Sequence, residues 1–306
     1  MTAYDPEGQS EAKEKSVLGV FVHSFFVIPF LIAVFSVLLF ASVKILTMEA
    51  KTVYDFLGDV KIGSLTKRWQ SAFELSKILA NPHLVPLEER FDQELIHAFD
   101  QSQHDDDRVR QYLALAMART GKEKFAEPLL AALKPAYRTG REEKEENLYA
   151  LIYSLGILKA RKAVPAISSY LEHPDPKIRL VSVIALGNIG DPSAVPLLKK
   201  TLSDTEPNVQ WDTAVSLAKL GDPSGRGILL NLLDRNYLAR FKEVDLEEQT
   251  HVLLVTLEAT GRLPAKSGDN GQAGLRDPQL TEAIERLARS DQNMNVRKLA
   301  MKVIHE

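Results

Sequence analysis

Few residues in this 306-residue chain have the types and spacing that catalysis or metal binding requires. The sequence has no GxxxxGK[ST] phosphate loop, no GxSxG elbow and no HExxH zinc motif. It has no cysteine, which excludes disulfides, thiolate metal sites and cysteine nucleophiles. Three aspartates at 105–107 lack the glycine and the closing glutamate of a calcium loop, so we predict that they cap a helix beginning near Arg108. We expect no catalytic residue, no cofactor and no metal ion.

Trp69 and Trp211 are the clearest candidates for contact with another molecule, because tryptophan is enriched in the energetically important parts of interfaces. Arg179, Lys199 and Lys200 complete the set of candidate partner-binding residues. Both kinds of residue have a structural alternative. Tryptophan is often largely buried in a core, and an arginine that is shielded from water is usually paired with an acidic group.

An internal repeat supplies the elements that would position these side chains. Residues 175–202 recur 31 residues later as residues 206–233, with apolar positions and turns in the same order. Each copy carries apolar residues at helical spacing, then a glycine, then a second apolar stretch. Each copy therefore predicts a helical hairpin. In this alignment Trp211 falls on Leu180 of the preceding copy.

Gly190 and Gly221 are predicted to end the first helix of the two copies. A glycine adopts the left-handed conformation of a helix C-cap without steric penalty, and the Asp-Pro after each one favours a new helix start. The interval from the first apolar residue to the glycine recurs at 109–121, whereas 147–159 keeps the interval without the terminal glycine. Degenerate copies occur at 65–79, 249–261 and 295–300.

The segment IRLVSVIALGNIGDPSAVPLLKKTL, residues 178–202, resembles the HEAT-repeat superfamily, particularly the phycobilisome-lyase HEAT-like repeats. The resemblance is strong across 107–234, weaker at 63–106 and 241–306, and absent before them. It implies a curved, right-handed stack of hairpins whose second helices line the concave side. It also implies that Arg179 pairs with the acidic turn of a neighbouring repeat. It does not imply bilin handling, because many unrelated proteins use the repeat.

The N-terminal segment differs in composition from the repeats. The thirty residues from Val17 to Leu46 contain only His23 and Lys44 as ionisable residues. A helix of this length is about 45 Å long, which exceeds the roughly 30 Å hydrocarbon core of a bilayer. A cleaved signal peptide usually has a shorter apolar run and a small-x-small cleavage site, which residues 41–43 match poorly. We predict an uncleaved, single-pass helix that contacts the lipid of the cytoplasmic (inner) membrane.

The predicted fold class is all-α: an α-solenoid of HEAT-like helical hairpins preceded by a single transmembrane helix. Two segments interrupt the repeat, a charge-rich run at 138–146 and a Gly-, Asp- and Pro-rich insertion at 262–279. For the second we expect disorder or folding on a partner. The predicted divisions are a polar tail at 1–16, the transmembrane helix at 17–46, a juxtamembrane linker at 47–62 and the solenoid at 63–306.

Charge and architecture together limit the function classes. Residues 47–306 carry 35 basic and 37 acidic residues. A nucleic-acid binder needs a basic excess to neutralise phosphates, so we expect no nucleic-acid partner. A solenoid leaves a long surface on which another protein can lie. We therefore expect a non-catalytic, membrane-anchored scaffold that binds an integral-membrane or membrane-proximal protein.

The expected role is an accessory or assembly subunit of a bacterial-type membrane or envelope complex, such as a transporter. The alternative is an enzyme subunit or a chromophore-lyase-like protein that holds a small molecule in the concave face. Lysine and arginine counts in the two flanks of the apolar segment nearly tie. The side of the membrane therefore stays open, with a slight preference for the periplasmic side.

Overall fold

The computed structural model describes helices joined by turns, and the described residues contain no strand. The chain divides into two compact units, Met1–Lys51 and Thr52–Glu306. The residues that the structure describes are 23–46, 51–133, 145–263 and 277–305.

The first unit contains helix α1, Ile28–Leu46, preceded by a π-helical turn at His23–Val27. Within this segment Phe25–Lys44 is long and apolar enough to cross a membrane, with a mean hydropathy of 2.7 over an 18-residue window. The side chains of that window are not buried by the protein. The apolar N-terminal helix that the sequence predicts is therefore present, while residues 17–22 of the predicted span lie outside the described residues.

The second unit is an α-solenoid of two rows of helices. Row A consists of α3, α5, α7, α9, α11, α14 and α16, and each of these packs against the next in the row. Row B consists of α2, α4, α6, α8, α10, α12 and α15, and each of these packs against row A. The helices are α2 (Val53–Ile62), α3 (Leu65–Ile78), α4 (Glu89–Gln101), α5 (Asp107–Arg119), α6 (Ala126–Leu133), α7 (Glu145–Ile157), α8 (Val164–Ser168), α9 (Pro176–Ile189), α10 (Val195–Leu198), α11 (Pro207–Lys219), α12 (Arg226–Leu232), α13 (Arg235–Leu238), α14 (Leu246–Thr260), α15 (Pro278–Ser290) and α16 (Met294–His305).

Three of the row-A helices, α5, α9 and α11, end at the glycine that the sequence predicts, whereas Gly261 at the end of α14 has a φ of −58°. Gly121, Gly190 and Gly221 have φ values of 69°, 74° and 77°, which is the left-handed region that a side chain disfavours. The copy that lacks a glycine keeps the same turn, because Lys159 adopts a φ of 51°. The turn geometry is therefore common to all four repeats, and Lys159 carries its steric cost.

Aspartate side chains begin many of the helices and turns. The Asp191 carboxylate accepts a hydrogen bond from the Ser193 backbone N–H at 2.9 Å, so it caps the turn that leads into row B. Within the 105–107 run, Asp106 accepts from the Arg108 backbone N–H at 3.0 Å and caps α5. This confirms the predicted capping role. Asp105 instead forms an ion pair with Arg68 of α3.

Small residues let neighbouring row-A helices approach closely. A Cβ atom added to Gly187 of α9 would lie 2.3 Å from Ser216 Oγ of α11. A Cβ atom added to Gly156 of α7 would lie 2.8 Å from Ala185 Cα of α9. Real Cβ atoms essentially never lie this close to a non-bonded atom, so these positions accept only glycine unless the neighbouring helix shifts. The close approach brings the outward-facing side chains of α7, α9 and α11 next to each other.

The structure corrects the predicted boundary between the linker and the solenoid. Residues 53–62, predicted as linker, form helix α2, which packs against α3. Thr52 and Asp55 form a capping box at its start, and Leu57 and Val60 are buried in the core. A short segment with two core residues thus belongs to the stack. Of the two predicted interruptions, 138–146 and 262–279, residues 138–144 and 264–276 lie outside the described residues.

Candidate functional site

Row A carries apolar side chains on its open side as well as on the side that packs against row B. The rings of Tyr149 and Tyr153 are 44% and 39% exposed, and Leu180 and Ile184 are partly exposed. Residues four apart lie on one face of a helix, so each pair presents two apolar groups to solvent. We call the following set the outer row: Tyr149 and Tyr153 on α7, Leu180 and Ile184 on α9, and Trp211 and Val215 on α11.

A groove of about 1070 Å³ lies over α9, α11 and α14, and it includes the outer row of the first two helices. We call it the row-A groove. The resemblance to HEAT repeats implies a binding face on the second helices, whereas this groove is lined mainly by row A. Its apolar lining consists of Leu180, Ile184, Pro207, Trp211, Val215, Leu232, Phe241, Val244, Val252 and Val255.

Trp211 anchors an aromatic cluster at the groove. Its ring lies edge-on against Phe241, with ring centroids 4.8 Å apart and planes at 89°. Tyr237 lies 6.2 Å from the tryptophan ring and packs edge-on against Phe241. Edge-to-face pairs of this kind are favourable and fix the orientation of the rings. Trp211 is only 9% exposed, so it is a core residue that also lines the groove.

Asp212 is a half-buried polar residue among these apolar side chains. Burial raises the pKa of its carboxyl group to about 6, and nearby Lys219 and His251 offset only part of that rise. Across the described part of the chain, Asp212 has no hydrogen-bond or ion-pair partner. Lys219 itself donates to Asn188 Oδ1 at 3.1 Å. The groove therefore contains a partly desolvated carboxylate that the protein does not pair.

The rim of the row-A groove is acidic. Glu243, Asp245, Glu247 and Glu248 line it together with Asp212, and neither lysine nor arginine does. Asp245 caps α14 by accepting from the backbone N–H groups of Glu247 and Glu248. The two glutamates lie in the first turn of α14, where negative charge is stabilised by the helix dipole. The rim charges thus have a local structural reason that Asp212, inside α11, does not have.

Arg179 lies in a second, smaller cleft of about 460 Å³, which we call the polar cleft. Its guanidinium group forms a two-pronged ion pair with Asp204, with both N–O distances at 2.8 Å. It also donates to the carbonyl oxygens of His173 and Pro174 at 2.9 and 3.1 Å. The pairing raises the pKa of Arg179 and lowers the pKa of Asp204. Arg179 therefore pairs with the turn of the next repeat, as the resemblance implied.

The remaining predicted site residues do not converge on one place. Lys200 lines the polar cleft and is exposed, while Lys199 forms an ion pair with Asp222 at 2.8 Å. Trp69 lies on α3, separated from α11 by three helices of row A, and the Arg108 guanidinium lies 4.4 Å from its ring centre. The structure thus places Trp211 in the row-A groove, and Arg179 and Lys200 in the polar cleft.

Sequence reasoning missed Asp212, Phe241 and the rim of the groove. The signal for Asp212 was present, because the 31-residue alignment matches this carboxylate to Val181. Phe241 follows α13, a short helix outside the repeat pattern, so the alignment assigns it no position. Within the described ranges, no group of three or more His, Asp or Glu side chains is placed to hold a metal ion. The groove offers apolar surface and carboxylates, which suit apolar and cationic groups.

A family model described as HEAT repeats matches residues 140–201 and 164–243 of the chain. These ranges cover α7 to α13, where the glycine turns and the close contacts of row A occur. This region therefore consists of HEAT repeats. A search of curated proteins gave no match.

Solved structures with a similar fold include a chain of the complex of CpcE and CpcF of phycocyanin lyase from Nostoc sp. PCC7120. That chain is 21% identical, has a TM-score of 0.55, and the match covers 84% of this chain and 96% of that one. An archaeal HEAT-like repeats protein from Thermococcus onnurineus NA1 is 14% identical with a TM-score of 0.43, and its match covers 84% of this chain and 97% of that one. At 21% identity the likeness to the first of these chains concerns the fold alone.

Proposed function

We propose that this chain of HEAT repeats is a membrane-anchored scaffold that holds another protein against the open side of row A. The observation that carries the proposal is the row-A groove, in which Leu180, Ile184 and Val255 leave apolar surface open between three helices. Contiguous apolar surface that a chain leaves in contact with water is typical of a site that another molecule covers. The elongated stack offers that surface to a protein rather than enclosing it around a small molecule.

The helix α1 supports the membrane part of the proposal. Its segment Phe25–Lys44 is long and apolar enough to span a bilayer, and none of the described residues buries it. We propose a single-pass protein of the cytoplasmic (inner) membrane with the repeat unit on the periplasmic side. Its partner is an integral-membrane or membrane-proximal protein, and its role is that of an accessory or assembly subunit of a membrane or envelope complex such as a transporter.

Alkaline extraction of membranes tests the anchor. The full chain should stay in the membrane pellet after a carbonate wash, because the free energy of burying a predominantly apolar 20-residue helix in lipid does not depend on ionic contacts. A signal sequence passes the same test of length and composition, so N-terminal sequencing of the mature protein is the control. Release by carbonate, or a mature chain that begins after residue 44, would refute the anchor.

Protease accessibility tests the side of the membrane. Trypsin added to intact spheroplasts should digest the repeat unit if it lies on the periplasmic side. Protection in spheroplasts, followed by digestion after detergent is added, would place it on the cytoplasmic side. A resident cytoplasmic protein that remains undigested controls for lysis.

Site-directed cross-linking tests the scaffold role. A photo-cross-linking amino acid in place of Leu180 should link the full chain to one membrane protein in stoichiometric yield. Adding Ile184→Asp on the groove floor should abolish that cross-link, because the carboxylate would have to be desolvated under the partner. Leu87→Asp is the matched control, since Leu87 is 93% exposed and does not line the groove. Equal loss of the cross-link in both variants, or none in either, would contradict the proposal.

A lyase-like subunit that holds a small chromophore is the second candidate. The structural likeness to a chain of the phycocyanin lyase complex favours it, as does the presence of Asp212, His251 and Trp211 in one groove. A thermal-shift screen of the full chain against small ligands separates the two candidates. Stabilisation by one ligand class, without a stoichiometric protein partner, would favour the lyase-like subunit.

A further inference from the structure

Asp212 departs from the pattern of its own row. In the repeat alignment the same position is Val181 on α9 and Val252 on α14. Val181 is 1% exposed and belongs to the hydrophobic core. A carboxylate therefore stands where both flanking repeats place a valine, and its neighbours are the apolar side chains of the groove. Such a substitution lowers stability unless another group stabilises the charge.

Other aspartates of the solenoid that lie away from water are paired. Asp204 pairs with Arg179, Asp277 with Arg226 and Asp291 with Arg235. In each of these the arginine comes from a different turn or helix of the stack, and the pairing holds two repeats together. Among the residues that the structure describes, none forms an ion pair with Asp212, on which Lys219 and His251 act only at longer range, and Asp212 faces a groove instead of a neighbouring repeat.

We propose that Asp212 receives the Lys or Arg side chain of a basic, amphipathic segment of the partner protein, whose apolar side chains lie on the floor of the row-A groove. This inference rests on the proposed scaffold function and identifies the part of the partner that the groove holds. An ammonium or guanidinium group would restore the charge pairing that Asp212 lacks. A helix that lays its apolar face into a groove is a recurrent mode of recognition between proteins.

Charge complementarity determines the sign of the charge that the partner segment carries. Five carboxylates line the groove, and its lining contains no lysine or arginine to balance them. The chain as a whole has a net charge of only −3, so this excess is local. Rim carboxylates attract a basic segment from a distance, and Asp212 fixes its register once it is bound. An acidic segment of the same apolar pattern would meet repulsion at each of these positions.

The test uses the detergent-solubilised full chain and a fluorescent amphipathic peptide of leucine, alanine and lysine. A second peptide replaces every lysine with glutamate. Fluorescence anisotropy gives the dissociation constant of each peptide for the wild-type chain, for Asp212→Asn and for Asp100→Asn. Asp100 is an exposed residue of α4 in row B, so Asp100→Asn makes the same charge change away from the groove. All samples contain the same detergent, so binding of peptide to micelles cancels between variants.

We expect the lysine peptide to bind the wild-type chain and Asp100→Asn equally, and to bind Asp212→Asn at least tenfold more weakly. A thermal melt accompanies each measurement, because weaker binding by a variant that melts at the same or a higher temperature cannot come from misfolding. Equal binding of the two peptides, or an unchanged dissociation constant in Asp212→Asn, would overturn this inference and leave the scaffold function standing. Tight, Asp212-dependent peptide binding with no cross-linked membrane partner would support the groove assignment and refute the membrane scaffold.

Discussion

The polar cleft and the row-A groove lie on the same solenoid, and they differ in how their charges are satisfied. In the polar cleft Arg179 and Asp204 are nearly buried, at 13% and 8% side-chain exposure, and each satisfies the other. In the row-A groove Asp212 lies among apolar side chains and the rim carboxylates, and it forms no hydrogen bond or ion pair with the described residues. Removing one partner of the pair in the polar cleft would leave a nearly buried charge unpaired, whereas a cation bound beside Asp212 would offset the desolvation of its carboxylate. The comparison therefore favours a structural role for the polar cleft and a binding role for the row-A groove.

The largest expected effect on the free energy of unfolding comes from a substitution in the polar cleft. Arg179→Ala should lower the free energy of unfolding by about 3 kcal/mol, because it leaves Asp204 buried without its partner and frees two backbone carbonyls. Chemical denaturation monitored by circular dichroism measures the change. Lys200→Ala, in the same cleft but exposed, is the control and should change stability by less than about 0.5 kcal/mol. Similar changes in the free energy of unfolding for both variants would contradict a structural role of the Arg179–Asp204 pair.

A smaller effect is expected beneath the groove. Gly187→Ala should destabilise the chain by about 2 kcal/mol, because its Cβ would overlap Ser216 and push α9 and α11 apart. Gly227→Ala is the matched control: it lies inside α12 with no atom within 4 Å of the added Cβ, so alanine should be neutral or stabilising by about 0.5 kcal/mol. Differential scanning calorimetry compares the two. A neutral Gly187→Ala would show that the row-A spacing does not depend on this contact.

The two aspartates should respond to pH in opposite directions. Asp204 has a lowered pKa, so the stability it contributes is present above its ordinary value of 3.8 and is lost as the pH falls through its folded value. Asp212 has a pKa raised from 3.8 to about 6, so its contribution is present below 3.8 and is lost as the pH rises through 6.

Asp212→Asn isolates the second contribution. The variant should match the wild-type chain near pH 4 and exceed its stability by about 1–2 kcal/mol at pH 8, because asparagine removes a charge whose pKa burial has raised. Urea unfolding of both proteins across that pH range gives the difference curve. A variant that is less stable than the wild-type chain at pH 8 would show that Asp212 is satisfied within the fold, and the contrast between the two clefts would disappear.

The smallest effect is expected at Lys199. Its ion pair with Asp222 lies at the surface, with the lysine side chain 45% exposed. Exposed pairs contribute about 0–1 kcal/mol, so Lys199→Ala should change the unfolding free energy by less than about 0.5 kcal/mol. The same peptide titration should be unchanged, because Lys199 does not line the row-A groove. A tenfold change in peptide affinity would indicate that the binding surface extends to row B.

The repeat could be predicted from sequence because its determinants are local. Gly190 and Gly221 set the turn through their own backbone conformation, and the apolar spacing around them sets the helices. Helix α2 could not be recognised in the same way, since only Leu57 and Val60 of its ten residues are buried. Its capping box begins with Thr52 and closes with Asp55. It therefore departs from the usual Ser/Thr-x-x-Glu/Gln pattern by which a helix start is recognised in a sequence.

The candidate site was predicted less completely because it depends on contacts between distant residues. The position of Trp211 follows from the repeat. Its neighbour Phe241 lies thirty residues later in the chain, beyond the row-B helix α12 and the short helix α13. The resemblance implied that Arg179 pairs with an acidic residue of a neighbouring turn. It did not identify that residue as Asp204 rather than Glu206, because this depends on how the turn folds. Asp212 stands out in the sequence only when it is compared with Val181 and Val252, which occupy the same position in the two flanking repeats.

The glycine contacts between α7, α9 and α11 also define a length scale along row A. Helices packed through small residues lie about 8–10 Å apart, so the outer row repeats at roughly that distance. In a helix, side chains seven residues apart are separated by about 10.5 Å, whereas an extended strand covers the same distance in about three residues. A helix that crosses the outer row would therefore present an apolar residue at every seventh position, in register with Tyr149, Leu180 and Trp211. The repeat period of the solenoid would in this way select the sequence period of its ligand.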